Sequence, residues 1–183
     1  MATALLMVDM QNAFLDMTKV ALPNIVKLSQ HFSSNSWPRI FTQHGHTREE
    51  LTPPFKNQLV RKWGPDGSIA KGSLSWEFIP DIKQLITSDS PIIPKNTYDA
   101  FLGTDLEKRL HDLGVKRLVV CGVMTDCCCD TTARGAFNRG FETWLVSDAT
   151  GTANKIQHER GLNAFGFAYG DVITTDEVLK RLK

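Results

Sequence analysis

The chain has 183 residues, of which 42% are hydrophobic and 22% are charged. This length is enough to fill one globular core and short for two ordinary domains, so we expect a single domain over residues 1–183. The 21 Lys and Arg residues nearly balance the 20 Asp and Glu residues, which leaves a formal charge of +1. Without a basic surplus, we expect neither nucleic acid nor an anionic membrane as a partner.

The amino-terminal residues and the cysteines predict a cytoplasmic protein. The apolar run at residues 4–8 is stopped by Asp9 and follows no basic segment, so it predicts neither a signal peptide nor a membrane helix. Three of the four cysteines are consecutive, at positions 127–129, a spacing that no ordinary intrachain disulfide framework uses. A reducing compartment, most simply the cytosol, suits such a chain.

Short apolar segments alternate along the chain with longer amphipathic ones. The predicted strands are residues 4–8, 39–42, 92–94, 117–122, 143–147 and 172–174. The predicted helices, in which apolar residues recur at spacings of three and four, are residues 22–32, 105–113, 131–139, 157–167 and 176–182. Strands that are apolar on both faces are typical of a parallel sheet with helices on each side. The pattern predicts an α/β fold of three layers around a mostly parallel sheet.

Residues 45–80 interrupt this alternation because they are rich in glycine, proline and aromatic residues. The segment carries Trp63, Trp76 and Phe78, which a flexible linker does not need. Two interpretations are open: a lid or subunit contact that buries the aromatic rings, or a small satellite cluster of the protein's own core. If the rings are buried in a subunit contact, the protein is a homo-oligomer.

Reactive side chains stand at the carboxyl ends of the predicted strands. They are Asp9, His44, His46, Lys95, the cysteine triplet 127–129 and Asp148. Taken singly, each has an ordinary structural interpretation as a helix cap, a solvated charge or a small buried apolar group. Ligands of open parallel sheets bind beyond the carboxyl ends of the strands, so their joint placement favours a catalytic site with a carboxylate, an amine and a thiol.

The cysteine triplet lies just before the predicted helix 131–139. The amino-terminal end of a helix and a nearby ammonium both favour a thiolate, so we expect the catalytic cysteine to be ionised near neutral pH. Successive helical residues point about 100° apart, so only one of the three cysteines faces the cleft squarely. Geometry alone does not say which one.

Three segments together resemble the isochorismatase-like cysteine hydrolases, a superfamily that includes nicotinamidases, carbamoylases and isochorismatases. They are residues 5–14 (LLMVDMQNAF), residues 95–101 (KNTYDAF) and residues 122–134 (GVMTDCCCDTTAR). The resemblance spans nearly the whole chain, and it implies the Rossmann-like α/β hydrolase fold of that superfamily. It also implies a hydrolase that acts on a small-molecule substrate, and relatives of this kind commonly form oligomers.

The same resemblance implies site residues. The superfamily's nucleophile matches Cys128, and its other two catalytic residues match Asp9 and Lys95. A cis peptide bond is implied between Val123 and Met124, which turns the backbone amides of Met124 and Cys128 toward one oxyanion site. Attack by the Cys128 thiolate, with Asp9 as acid and base and Lys95 as charge stabiliser, would cleave a C–N bond of a small amide, ureido or carbamoyl-type substrate through a thioester.

Two alternatives remain open. One is an isochorismatase, in which Asp9 protonates the vinyl ether of isochorismate as a general acid and no nucleophile is needed. Retention of Cys128 favours the covalent route. The other alternative belongs to a different class, a non-catalytic binding protein or a thiol redox sensor of the same fold. The joint presence of Asp9, Lys95 and Cys128 argues against an idle site.

The predicted substrate-binding residues are aromatic or polar side chains near the motifs. They are Phe14, His44, Trp63, Trp76 and Tyr98. The nicotinamidase branch carries an Asp-x-His metal motif after its second strand, where this chain has His44, Gly45 and His46. Since a third and a fourth ligand at recognisable spacing are missing, we expect no metal and no other cofactor.

Overall fold

Six parallel strands form the central sheet of the computed structural model, which describes all 183 residues. The strands are β1 (Thr3–Val8), β2 (Arg39–His44), β3 (Ile92–Lys95), β4 (Arg117–Val123), β5 (Glu142–Gly151) and β6 (Asp171–Ile173). Their order is β3-β2-β1-β4-β5-β6, and every neighbouring pair is parallel. The chain therefore runs outward from β1 to one edge, returns beside β1, and runs outward to the other edge.

Eight α-helices connect and cover the strands. They are α1 (Leu15–Thr18), α2 (Leu22–Ser34), α3 (Gln58–Trp63), α4 (Pro80–Lys83), α5 (Leu106–Asp112), α6 (Asp130–Asn138), α7 (Lys155–Ala168) and α8 (Thr175–Arg181). A 3₁₀ turn occupies Asn12–Phe14, and a π-helical turn occupies Thr125–Cys129. All predicted strands and helices are present; the short helices α1, α3 and α4 were not predicted. None of the helices is long and apolar enough to cross a membrane.

Alternating side chains of the sheet divide the core into two layers. Leu5 and Met7 of β1 pack with buried residues of α2 and α8 on what we call the α2 face. Ala4, Leu6 and Val8 pack with buried residues of α5, α6 and α7 on the α6 face. The three-layer prediction is therefore confirmed, and the reason is the one that the sequence indicated, because strands apolar on both faces need helices on both faces.

The segment from residue 45 to residue 80 is divided between core and surface. Phe78 is buried in the α2-face core, where its ring centroid lies 6.2 Å from that of Phe41. The indole of Trp76 lies so close to Gly45 that a Cβ there would be 2.6 Å from it. Trp63 is 56% exposed. Of the two interpretations of this segment, packing in the core of its own chain is correct for Phe78, and burial of Trp63 by a lid or a partner stays a prediction.

Asp148 lies within β5, which continues to Gly151 instead of ending near residue 147. Its Oδ1 accepts hydrogen bonds from the backbone N–H of Thr175 (2.7 Å) and from the Thr175 hydroxyl (2.8 Å). The carboxylate thus holds the first residue of α8 against the sheet. Its expected place among the reactive side chains at the strand ends is wrong, because this carboxylate is used in a structural contact.

We expect Asp148→Ala to lower the free energy of unfolding by about 1–2 kcal/mol, because α8 loses two hydrogen bonds at its start. Urea denaturation measures the change. Asp176→Ala is the matched control, since Asp176 is 83% exposed and forms only a surface pair with Lys27; its effect should stay below about 1 kcal/mol. Equal effects of the two substitutions would contradict the structural role of Asp148.

Candidate active site

Asp9, Lys95 and Cys128 meet beyond the carboxyl ends of their strands. Asp9 follows β1, Lys95 ends β3, and Cys128 lies in the π-helical turn that follows β4. The Lys95 Nζ lies 2.6 Å from Asp9 Oδ2 and 3.4 Å from Cys128 Sγ. The side chains of Asp9 and Lys95 are fully buried, and Cys128 is buried as well. Three distant segments of the sequence thus bring a carboxylate, an amine and a thiol into one enclosed cluster.

The Lys95 ammonium contacts two oxygen atoms and one sulfur atom. Besides Asp9 and Cys128, its Nζ donates a hydrogen bond of 2.9 Å to the backbone carbonyl of Thr97. Burial disfavours the ammonium, but the neighbouring Asp9 carboxylate and the Cys128 sulfur outweigh it and raise the pKa of Lys95 above its ordinary value. The amine therefore stays positively charged throughout the neutral pH range.

The surroundings of Cys128 favour the protonated thiol over the thiolate. Burial raises the pKa of Cys128 above its ordinary value, the Lys95 ammonium opposes this, and the Asp9 carboxylate adds to it. The expectation of an ionised resting thiol is therefore wrong, because the charge of Lys95 is already balanced by Asp9 and the site has little water to solvate a thiolate. A base must take the thiol proton before the sulfur can attack, and Asp9 is the carboxylate at hand.

The other two cysteines of the triplet have different surroundings. Cys129 is fully buried, and burial raises its pKa well above the ordinary value. Cys127 is half-buried, and its pKa is raised to about 11 by burial and then by the carboxylates of Asp126 and Asp130. Neither sulfur receives a hydrogen bond from Lys95, so the structure distinguishes Cys128 from its neighbours.

The turn that carries Cys128 has a defined backbone. The peptide bond between Val123 and Met124 is cis, as the resemblance to the cysteine hydrolases implies. The backbone N–H groups of Cys127 and Cys129 both donate to the Met124 carbonyl, at 3.1 and 3.0 Å. The N–H of Met124 itself makes no hydrogen bond within the chain, which leaves it available to a ligand.

Helix α7 supports this turn from outside, a contribution that the sequence did not reveal. Gly161 packs so closely that a Cβ there would lie 2.9 Å from the Asp126 Cα. The Thr125 hydroxyl and His158 Nδ1 are 2.9 Å apart, and the Thr152 hydroxyl donates to Asp126 at 2.6 Å. The only sequence signal was a glycine within a helix, which can mark close packing.

His44 and His46 lie at the end of β2 and are both buried. Their rings are edge to face with centroids 5.0 Å apart, and the Nδ1 atoms of both have no hydrogen-bond partner. Burial, and after it the charge of Lys95, lowers the pKa of His44 to about 4, so this imidazole is neutral at neutral pH. The Gln11 side chain makes two hydrogen bonds with the backbone of His44. Its Oε1 accepts from the His44 N–H at 2.8 Å, and its Nε2 donates to the His44 carbonyl at 2.9 Å.

The two histidines lack the further ligands that a zinc ion requires. The nearest carboxylate oxygen, Oε1 of Glu50, lies 3.9 Å from His46 Nδ1 and accepts hydrogen bonds from Asn57 and Asn96. No group of three or more His, Cys, Asp and Glu side chains is arranged to hold a metal ion. The residues present therefore do not fit the metal site of the nicotinamidase branch.

The predicted substrate-binding aromatics occupy two locations. Trp63 Nε1 donates a 3.0 Å hydrogen bond to the Tyr98 hydroxyl, and burial raises the pKa of Tyr98, with smaller contributions from Cys127 and Cys128. The Thr132 hydroxyl of α6 donates a 3.2 Å hydrogen bond to the Tyr98 carbonyl, which ties Tyr98 to the helix that follows the Cys128 turn. Phe14 is only half-buried and packs against the α2-face core. The Nε1 of Trp76 is buried beside Gly45 without a partner, near the two histidines.

Comparisons of the sequence and of the fold with known proteins identify the family. Residues 3–177 match the family model of the isochorismatase domain. Nicotinamidase 3 of Arabidopsis thaliana is 40% identical over 168 residues, which is 91% of this chain and 82% of the relative. A cysteine hydrolase from Pseudomonas syringae pv. phaseolicola 1448A has a TM-score of 0.88 at 25% identity, over 98% of this chain and 92% of the other. The nicotinamidase of Bacillus subtilis has a TM-score of 0.81 at 25% identity, over 95% of this chain and 99% of the other. The chain therefore belongs to the isochorismatase family and is a hydrolase.

Proposed function

We propose that the protein hydrolyses the C–N bond of a small carboxamide, ureido or carbamoyl-type compound through a covalent intermediate on Cys128. The observation that carries this proposal is the buried contact of Lys95 with both Asp9 and Cys128, at 2.6 and 3.4 Å. A nucleophile, a proton acceptor and a fixed positive charge are what acyl transfer at a thiol requires. The likeness to two nicotinamidases supports a carboxamide, and nicotinamide is the first compound to test.

In the first step, the Cys128 sulfur attacks the carbonyl carbon while its proton moves to Asp9 Oδ2. The electron pair of the C=O bond moves to oxygen, and the backbone N–H groups of Met124 and Cys128 stabilise this oxyanion. Removing one such donor typically costs about 10²–10³ in rate. Lys95 stays positively charged throughout and contacts both Cys128 and Asp9, the groups that exchange the proton. The negative charge therefore passes from Asp9 to the oxyanion, and the total charge of the site does not change.

In the second step, Asp9 returns the proton to the leaving nitrogen, the C–N bond breaks, and ammonia or an amine departs. The carbonyl carbon is then held as a thioester to Cys128. Water attacks this thioester while Asp9 accepts one of its protons, and the same oxyanion position is used again. The tetrahedral intermediate then expels the sulfur, which takes the proton back from Asp9. The product that leaves is a carboxylic acid, or a carbamic acid from a ureido or carbamoyl substrate.

The surrounding side chains favour an uncharged substrate with hydrogen-bonding atoms. His44 is neutral, and its Nδ1 is unsatisfied, as is the Nε1 of Trp76. Trp63 and Tyr98 offer aromatic surface on the other side. We propose that these four residues contact the substrate, together with Phe14 at the edge, because buried polar atoms without partners are satisfied when a ligand binds.

The geometry favours the covalent route over isochorismate cleavage by Asp9 as a general acid. Acid cleavage needs no nucleophile, whereas the buried Lys95 Nζ contacts the Cys128 sulfur at 3.4 Å. A redox-sensor thiol must be accessible, and only Cys127 among the four free cysteines is even half-exposed. Both alternatives nevertheless give distinct outcomes in the assays below.

We also propose that the protein acts in the cytoplasm and as a homo-oligomer. Four free cysteines suit a reducing compartment. Trp63 and Leu74 are 56% and 77% exposed on the same segment, which is the kind of apolar surface that a second subunit covers.

A hydrolysis screen over nicotinamide, short carboxamides, N-carbamoyl compounds and isochorismate identifies the reaction. We expect release of ammonia or amine from at least one C–N substrate, and we expect Cys128→Ala to lower that activity by at least about 10³-fold because no covalent intermediate can form. Cys127→Ala is the matched control and should retain turnover. Cleavage of isochorismate that survives Cys128→Ala would support the acid mechanism instead, and the absence of any turnover would support the non-catalytic class.

Alkylation with iodoacetamide tests the role of Lys95 independently of the substrate. At pH 7 we expect mass spectrometry to find a single label on Cys128, because Lys95 stabilises the transient thiolate there. Lys95→Met removes the opposing charge, raises the pKa of the thiol further, and should slow labelling at least about 10-fold. Lys83→Met, on the surface, is the control, and circular dichroism verifies that both variants fold. Equal slow labelling of Cys127, Cys128 and Cys129 would contradict the assignment.

Chelation tests the absence of a metal. Because His44 and His46 lack further ligands, we expect activity on the C–N substrate to stay within about twofold after dialysis against EDTA. The double substitution His44→Ala and His46→Ala should raise KM more than it lowers kcat, as for groups that bind substrate. Stoichiometric zinc that restores activity after chelation, and that the double variant no longer binds, would reverse this prediction.

A further inference from the structure

A single buried hydroxyl contacts the Asp9 carboxyl group and backbone together. Thr42 is the fourth residue of β2, and it is fully buried. Its Oγ1 accepts a 3.1 Å hydrogen bond from the backbone N–H of Asp9 and donates a 2.5 Å hydrogen bond to Asp9 Oδ1. A threonine hydroxyl has one proton and two acceptor positions, so both contacts can be made at once. Thr42 therefore fixes the backbone and the side chain of the same residue.

The contacts of the Asp9 carboxylate fix its rotation about the Cβ–Cγ bond. Oδ1 accepts the hydrogen bond from the Thr42 hydroxyl. Oδ2 lies 2.6 Å from the Lys95 Nζ, which in turn contacts Cys128 Sγ. A carboxylate without the Thr42 contact could turn its plane away from the thiol. The hydrogen bond from Thr42 keeps one oxygen facing Lys95 and Cys128.

The backbone of Asp9 explains why such a contact is needed. By the alternation of β1, Asp9 would follow Leu5 and Met7 onto the α2 face. Lys95 instead shares its strand face with Ile93, which is buried on the α6 face as Cys128 is. Asp9 reaches that side with a φ of 49°, in the left-handed region that residues other than glycine seldom occupy. Conformations of this kind persist where the surroundings enforce them.

We propose that Thr42 is a positioning residue, whose hydroxyl holds Asp9 in its left-handed conformation and directs Oδ2 toward Lys95 and Cys128. In turnover its effect rests on the proposed function of Asp9 as acid and base. The position of the carboxylate does not rest on that function, so it can be examined without a substrate. The neighbouring strands β1 and β2 supply this contact directly, since Met7 is paired with Phe41 in their parallel register.

The test compares Thr42→Val, which keeps the shape and removes the hydroxyl, with Thr42→Ser, which keeps the hydroxyl. Thr143→Val is the matched control, because Thr143 is another buried threonine, at the opposite end of the sheet, that donates to the Phe141 carbonyl at 3.0 Å. For each variant, kcat and KM are measured across pH on the C–N substrate found in the screen. The rate of Cys128 alkylation by iodoacetamide is measured across the same pH range.

We expect Thr42→Val to lower kcat about 10- to 100-fold with KM changed less than about threefold, because a base is displaced and binding is not. The rate of Cys128 alkylation should fall by a similar factor, because the displaced carboxylate no longer accepts the thiol proton as readily. Thr42→Ser should restore kcat and the alkylation rate to within about threefold. Thr143→Val should leave both rates unchanged.

Two results would overturn the proposal. One is a Thr42→Val variant whose kcat and alkylation profile match those of the unsubstituted protein. The other is an equal loss of kcat and of alkylation rate in Thr42→Val and Thr42→Ser, which would indicate packing alone. If no C–N substrate is turned over, the proposed function fails, whereas the alkylation profile still decides the role of Thr42.

Discussion

The buried ion pair between Lys95 and Asp9 is the constraint on which the rest of the site depends. Taking a carboxylate and an ammonium out of water costs several kcal/mol for each ion, and their attraction compensates only when geometry and further hydrogen bonds are good. Here Nζ and Oδ2 are 2.6 Å apart, the Thr97 carbonyl accepts a hydrogen bond from Nζ, and the Thr42 hydroxyl donates to the second carboxylate oxygen. The ends of β1, β2 and β3 must therefore keep their register for the charged pair to be tolerated at all.

The same pair sets the state of the thiol. Because Lys95 and Asp9 neutralise each other, Cys128 lies in a buried site without net charge, and the buried sulfur keeps its proton at rest. A proton transfer from Cys128 to Asp9 would leave Lys95 paired with the sulfur instead, so the number of charges in the site would stay constant. Such a transfer suits a poorly solvated site, because moving a charge over a short distance requires less reorganisation of the surrounding dipoles than creating a new charge.

The π-helical turn that carries Cys128 depends on packing from two sides. On the inner side, Gly122 has a φ of 115° and lies against the backbone of Val8, where a side chain would collide. On the outer side, Gly161 allows α7 to approach Asp126 closely, and His158 contacts Thr125. Two glycines, one in a strand and one in a helix, thus let rigid elements hold the turn that carries Cys128, which gives the proposed nucleophile a fixed position.

The sequence by itself determined the strands, the main helices, the three-layer order and the convergence of Asp9, Lys95 and Cys128, because apolar periodicity and strand ends are local properties that a parallel sheet converts into one edge. It did not determine what each polar group contacts. Asp148 follows the same pattern as Asp9, yet its carboxylate accepts hydrogen bonds from Thr175 at the start of α8. Phe78, for which the sequence left both a partner contact and a core position open, packs on Phe41. The protonated state of Cys128 and the contact of Thr42 with Asp9 likewise depend on burial and on atoms 33 residues away in sequence. Only the tertiary structure decided these features, because desolvation and hydrogen-bond partners are set by the whole surroundings of a group.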